Sequence, residues 1–289
     1  MNLLHELKKL FKTGNIITKI IIVNISVFAV VNIVNLFAFL LAKQSNVFMD
    51  ILALPAYLPK LILRPWTILT YMFFHVDIIH ILFNLLIFYW FANIFKEYIG
   101  EKKILLNYLI GGIFGGVLYI LFYNIFPVFD PYLRQSLALG ASASIYAIVI
   151  AISTYIPDYK LNLMFVGPVK LKYIALIYIA IDLISIPKGN AGGHIAHIGG
   201  ALWGFIYALN LKQGNNLLKA FDNLEFNFTK RKSNLKVKYK RPINDYEYNS
   251  ERAERQKQTD IILDKIAKSG YSSLSSQEKE FLFNQSSKK

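Results

Sequence analysis

Residues 136–156 read SLALGASASIYAIVIAISTYI, a run without a single charged residue. Its length falls within the roughly 17 to 25 apolar residues that carry a helix across hydrocarbon, so the run predicts a membrane span. Five more such runs lie at 17–42, 78–95, 104–126, 171–186 and 191–211, of which 171–186 is the shortest. Composition agrees with this reading. Of 289 residues 55% are hydrophobic and mean hydropathy is +0.39, with the apolar residues gathered in long blocks rather than alternating. That is the signature of a polytopic membrane protein, and the expected fold class is all-α with six transmembrane helices. Cysteine is absent, which excludes disulfide frameworks and Cys-ligated metal sites.

The flanks set the expected topology. Leu3, Leu4, Leu7, Leu10 and Phe11 form a stripe at helical spacing opposite Lys8, Lys9 and Lys12. This predicts an amphipathic surface helix over residues 1–16. The apolar run that follows is far longer than the 7 to 15 residues of a secretory signal. Lys8, Lys9, Lys12 and Lys19 precede the first span, Lys96, Lys102 and Lys103 separate the second from the third, and Lys160, Lys170 and Lys172 separate the fourth from the fifth. The intervening loops are poorer in cations, so the lysine-rich side is cytoplasmic and both termini lie there.

A net charge of +14 would point a soluble protein toward nucleic acid, but here the charge sits beside the spans. From residue 212 onward the tail holds 17 Lys and Arg against 10 Asp and Glu. A basic tail after a final span suits anionic lipid headgroups, and no nucleic acid partner is expected. The expected organisation is a membrane domain over 17–212, a basic linker over 213–258 and a small helical extension over 259–289. Ile261, Ile262 and Ile266 mark one helix of the extension. Ser269-Gly270-Tyr271 joins it to a second, started by a Ser275/Glu278 capping box. Such a hairpin would bind an unknown cytoplasmic partner or stabilise the protein.

On this topology the second, fourth and sixth spans enter from the same face, and His80, Ser142 and His197 fall in their first two turns. At 1.5 Å per residue, Ser142 and His197 should each lie about 9 Å below the start of their spans. Reactive groups inside a membrane are costly and mark functional cavities. A serine is a weak nucleophile until a neighbouring base takes its proton, which is what a histidine at matching depth can do. Gly111, Gly115 and Gly116 in the third span, with Gly200 and Gly204 in the sixth, remove bulk at helical spacing and predict close helix packing.

Three separated elements resemble the rhomboid intramembrane serine proteases: His80-Ile81-Leu82-Phe83-Asn84, Gly140-Ala141-Ser142, and Ala196-His197 followed by Gly200 and Gly204. The resemblance covers roughly residues 15–212 and implies a six-helix rhomboid fold in a bacterial inner membrane. It further implies that Ser142 is the nucleophile and His197 its base. His80 and Asn84 would support the oxyanion with the Ser142 backbone N–H, and Tyr146 would pack on the imidazole. Gly140, Gly200 and Gly204 would serve close packing. No acid partner stands near either motif, so a Ser-His dyad is expected, acting through an acyl-enzyme on transmembrane protein substrates near the outer ends of their helices. The alternative is an inactive relative that binds membrane clients without cutting them.

Other residues read more plainly. His75 and His194 are expected to be structural or solvent-facing. A metal site is not expected, because His75 and His80 are five apart rather than four and no Glu accompanies either histidine pair. No cofactor is expected either. Asp182 lies toward the outer end of the fifth span, placed to face the cavity, to hydrogen-bond to a neighbouring helix or to reach the interface, with an effect on substrate gating as its one suggested role. The first long loop, 43–77, is too broken by Pro55, Pro59 and Pro65 to span, and should lie half-immersed in the leaflet. Two departures from the family pattern stand out. Arg64-Pro65-Trp66 replaces a Trp-Arg pair, and Ala143 replaces the usual glycine, adding a methyl beside the oxyanion position.

Overall fold

The computed structural model describes residues 9–43, 47–164, 166–215, 217–218 and 245–286. Leu3, Leu4, Leu7, Lys8 and the basic run 230–241 therefore lie outside the described residues. The chain forms two compact units, Met1–Lys230 and Arg231–Lys289.

Six apolar helices build the first unit: α1 (Ile16–Leu40), α2 (Ile78–Tyr98), α3 (Lys102–Ile125), α4 (Ser142–Tyr155), α5 (Leu171–Ser185) and α6 (Ala191–Lys212). Of these, α1, α2 and α3 are long and apolar enough to cross a membrane by length and composition. Local chemistry starts the first two. The Asn15 side chain accepts from Thr18 N–H at the head of α1, and Asp77 accepts from His80 N–H at 2.9 Å at the head of α2.

The fourth helix differs from the sequence expectation. Helix α4 begins at Ser142 and holds 14 residues, about 21 Å at 1.5 Å per residue, less than the roughly 30 Å hydrocarbon core. Residues 136–141 are not helical. Strand β2 (Leu137–Ala138) instead pairs antiparallel with β1 (Leu54–Pro55) in the first long loop, and Gly140 follows with φ +112°. That backbone conformation cannot continue into a right-handed helix and favours glycine. Ser142 is thus the first helical residue rather than one buried a turn or more below a helix end. Hydropathy missed this because the strand and the helix are equally apolar.

Every residue of α4 from Ala143 to Ser153 is buried. A helix apolar on all faces needs neighbours on all faces, and α2, α3, α5 and α6 surround it. Small residues let them come close. A Cβ built on Gly200 would lie 2.0 Å from the Ala143 carbonyl oxygen, and one on Gly204 would lie 2.3 Å from that of Ala147. Against α3, a Cβ on Gly111 would meet the Ala147 methyl at 2.2 Å, and one on Gly115 the Ala143 methyl at 2.5 Å. Backbone rests on backbone between α4 and α6, and alanine methyls rest on glycines between α4 and α3, in the small-xxx-small manner of membrane helices.

The loop from α1 to α2 is folded rather than merely broken by its prolines. Short helices at Val47–Leu52, Leu58–Leu63 and Thr67–Thr70 are tied by Arg64, which donates to the Asp50 carbonyl at 2.5 Å and its carboxylate at 3.1 Å. Trp66 Nε1 donates to the Ile51 carbonyl at 2.9 Å. Arg64 and Trp66, in their altered order, both serve this loop. Ile62 and Leu63 point outward at 76% and 75% exposure, an apolar face suited to lipid.

The second unit contains α7 (Asp245–Ser269) and α8 (Ser276–Ser286) around a turn at Tyr271–Ser273. Helix α7 starts at Asp245, inside the stretch expected to be a linker to residue 258. Its early turns, rich in Glu, Arg, Lys and Gln, are helical through intrinsic preference, which an apolar-period search does not detect. Glu278 accepts from Ser275 N–H at 2.6 Å and Ser275 Oγ accepts from Glu278 N–H at 3.3 Å, closing the capping box. Lys265 Nζ, 2.8 Å from the same carboxylate, helps hold its pKa down to about 2.

Gly200→Val drives a side chain into the Ala143 carbonyl and should cost about 1–3 kcal/mol or more of stability. Leu202→Val, at a 46% exposed position on the same helix, should be close to neutral. Thermal unfolding in detergent checks both, and equal midpoints for the two variants would contradict the close seam.

Candidate active site

The site is assembled at the ends of four helices. Ser142 is the first residue of α4 and His80 the third of α2, while His197 is the seventh of α6. Helix α5 runs the other way and brings Asp182, near its C-terminus, to the same end. The seam between α4 and α6 closes the gap between serine and histidine. His197 Nε2 lies 2.7 Å from Ser142 Oγ, a hydrogen-bond length.

Tyr146 stands one turn below Ser142 on α4. Its ring lies parallel to that of His197, with centroids 4.4 Å apart and an interplanar angle of 16°. On the far side, His197 Nδ1 lies 3.0 Å from Asp182 Oδ1, and His194 Nδ1 lies 2.7 Å from the same oxygen. The Asp182 carboxyl is only 2% exposed. A carboxylate does therefore stand beside His197, contrary to the expectation that no acid partner lies near it. The cue was available in the chain. The tight connection around Pro187 and Gly189 makes α5 and α6 an antiparallel hairpin, and residues about equally far from its turn face each other.

The entry turn to α4 is held from α2 and the loop before it. His75, fully buried, presents Nε2 to the Ala141 N–H at 3.2 Å and to Asn84 Nδ2 at 3.3 Å. His75 thus braces the backbone just before Ser142 and is not solvent-facing. A Cβ on Gly140 would lie 2.9 Å from His80 Cε1, so the His80 ring covers this turn. Gly140 sits in the turn rather than in a helix seam, which corrects its assignment to helix packing. Its positive φ, with the His80 ring against it, calls for glycine. Helix α4 has no side-chain cap, and its first backbone N–H groups converge beside the serine, where they can receive developing negative charge.

The Ala143 methyl does not face that space. It is buried against Gly115 of α3, which supplies the room that glycine at 143 would otherwise leave. As possible metal ligands, Asp182, His194 and His197 each bring one donor atom within 4.8 Å of the others. These atoms engage one another at 2.7 and 3.0 Å, closer than the roughly 3.3 Å between donors around a tetrahedral zinc.

A Rhomboid domain model matches residues 63–213, the stretch that holds every residue of this site. The chain belongs to the rhomboid family. It is an integral membrane protein with that family's polytopic helical fold. Among curated relatives, RHOMBOID-like protein 12, mitochondrial, from Arabidopsis thaliana is 29% identical over 160 residues, covering 52% of this chain and 48% of the relative. Presenilin-associated rhomboid-like protein A, mitochondrial, from Danio rerio is 28% identical over 138 residues, covering 47% of this chain and 34% of the relative. The chain thus spans less than half the length of either rhomboid relative. Residues 244–289 match a separate family of unknown function (DUF6576).

Because the Ala143 methyl points into the α3 seam, Ala143→Gly should leave the rate at which a serine-reactive phosphonate modifies the protein unchanged. It should cost about 0.5–1 kcal/mol of helix stability. A clear rate increase would place the methyl in the oxyanion space instead.

Proposed function

We propose that the protein is an intramembrane serine endopeptidase that cuts membrane-protein substrates in or near their transmembrane segments. The 2.7 Å contact between His197 Nε2 and Ser142 Oγ carries this reading, since it joins a nucleophile to a base able to take its proton. His197 removes the proton as Ser142 Oγ attacks the scissile carbonyl, and a tetrahedral oxyanion forms. The Ser142 backbone N–H at the uncapped head of α4, with His80 and Asn84 from α2, stabilises that charge. Losing one such donor typically costs about 10²- to 10³-fold in rate. Collapse passes the proton from His197 to the leaving amine, and water then releases the acyl group from Ser142 by the same steps in reverse.

Substrates must present an unwound segment, because a helical peptide bond hides its carbonyl within the helix ladder. Transmembrane segments with helix-breaking residues near the cut fit this requirement. Lys96, Lys102, Lys103 and Lys172 at the opposite ends of the helices from the site support an orientation in which both termini share the cytoplasmic side of a bacterial inner membrane and the site opens to the other side. The exposed apolar surfaces of α1 and α5 fit contact with the bilayer. Neither cofactor nor metal is required for this chemistry. The tail hairpin binds a cytoplasmic partner or stabilises the protein.

A fluorophosphonate should label the purified protein at one residue, with labelling and cleavage of a reconstituted transmembrane substrate both lost in Ser142→Ala and His197→Ala. Labelling that persists in Ser142→Ala would contradict the assignment. Retention of membrane clients by the intact protein without labelling or cleavage would favour a client-binding protein.

A further inference from the structure

The geometry points to Asp182 as a positioning residue that turns the serine-histidine pair into a three-residue chain, Asp182–His197–Ser142. This inference rests on the reading of Ser142 and His197 as nucleophile and base.

The placement of Asp182 is the first support. Its neighbours Ile181, Leu183 and Ile184 are 56%, 54% and 61% exposed on the outer surface of α5, whereas Asp182 itself is 2% exposed. It shares an inward stripe with Leu171 and Ile174, turned toward α4 and α6. A buried carboxylate in an apolar helix is costly unless paired, and marks a site by default. Asp182 Oδ1 meets His194 Nδ1 at 2.7 Å and His197 Nδ1 at 3.0 Å, both on α6.

Hydrogen-bond logic is the second support. An ionised carboxylate only accepts, so the His197 Nδ1 at 3.0 Å from Asp182 Oδ1 must carry a hydrogen. A neutral imidazole with its hydrogen on Nδ1 has its lone pair on Nε2, and that nitrogen faces Ser142 Oγ at 2.7 Å. This is the one neutral tautomer that can act as base. The opposite tautomer would set a lone pair against the carboxylate and a donor against the serine. Tyr146 stacks on the ring and fixes its plane, but stacking cannot choose between tautomers. Asp182 supplies that choice.

Charge is the third support. When His197 takes the serine proton it becomes an imidazolium within a largely apolar bundle, and the adjacent carboxylate compensates that charge without itself gaining the proton. His194, at 2.7 Å, is the second clasp on the same oxygen. It holds Asp182 in place from one turn nearer the head of α6, and does not take part in the serine contact.

The test compares wild type, Asp182→Asn, His194→Gln and Ser142→Ala as full-length proteins in the same detergent and in liposomes. Asp182→Asn should lower the fluorophosphonate labelling rate and kcat by about 10²-fold or more, with KM changed by less than about threefold. His194→Gln should lose markedly less. In ¹⁵N-histidine spectra, neutral His197 should carry its hydrogen on Nδ1 in the wild type and become a mixture or switch in Asp182→Asn, a change that a merely structural role would not produce. Labelling of Asp182→Asn within about threefold of wild type overturns the inference. So does an equal or larger loss in His194→Gln, or a wild-type His197 with its hydrogen on Nε2. The wild-type spectrum decides the matter even if Asp182→Asn does not fold. A wild-type protein that Ser142→Ala does not silence would instead remove the protease reading, and the spectrum would still report on Asp182.

Discussion

The backbone-to-backbone seam between α4 and α6 is the constraint on which the site depends. A serine on one helix and a histidine on another can share a proton only if their axes approach closely, and Gly200 and Gly204 against the Ala143 and Ala147 carbonyls permit that approach. A side chain at either glycine would separate the helices by more than the 2.7 Å contact can tolerate. The same logic continues against α3, where Gly111 and Gly115 receive the Ala147 and Ala143 methyls. Helix α4 therefore packs closely against both α3 and α6, which fixes the position of its first residue.

Around the site, the polar groups of the α4 entry turn and of α5 find partners across helices. Ending the extended segment at Gly140 leaves the head of α4 uncapped, so its N–H groups remain available beside Ser142. His75 satisfies the Ala141 N–H and steadies the turn, while Asn84 shares the same ring nitrogen. The buried carboxylate of Asp182 is compensated by two histidines from one face of α6. Each arrangement reconciles a polar requirement with an apolar setting, where an unpaired group would be expensive.

Much of this was legible in the chain because membrane spans leave long apolar records. The six runs anticipate the six helices, and the spacing of Gly111, Gly115, Gly200 and Gly204 anticipates where backbones meet. Hydropathy could not separate strand from helix at residues 136–141, since β pairing with Leu54–Pro55 uses equally apolar residues. The role of Asp182 was not legible because its partners lie across a helical hairpin rather than near it along the chain. His75 escaped because a lone histidine before a helix carries no sign of what it braces. The start of α7 at Asp245 was hidden by a charged helix with no apolar period.

An experimental structure of the protein in lipid, at a resolution that places side-chain atoms, is the most direct test of the central claim. Ser142 Oγ should lie within hydrogen-bond distance of His197 Nε2, with Gly200 in contact with the Ala143 backbone. Serine and imidazole held well apart by intervening packed side chains would contradict it.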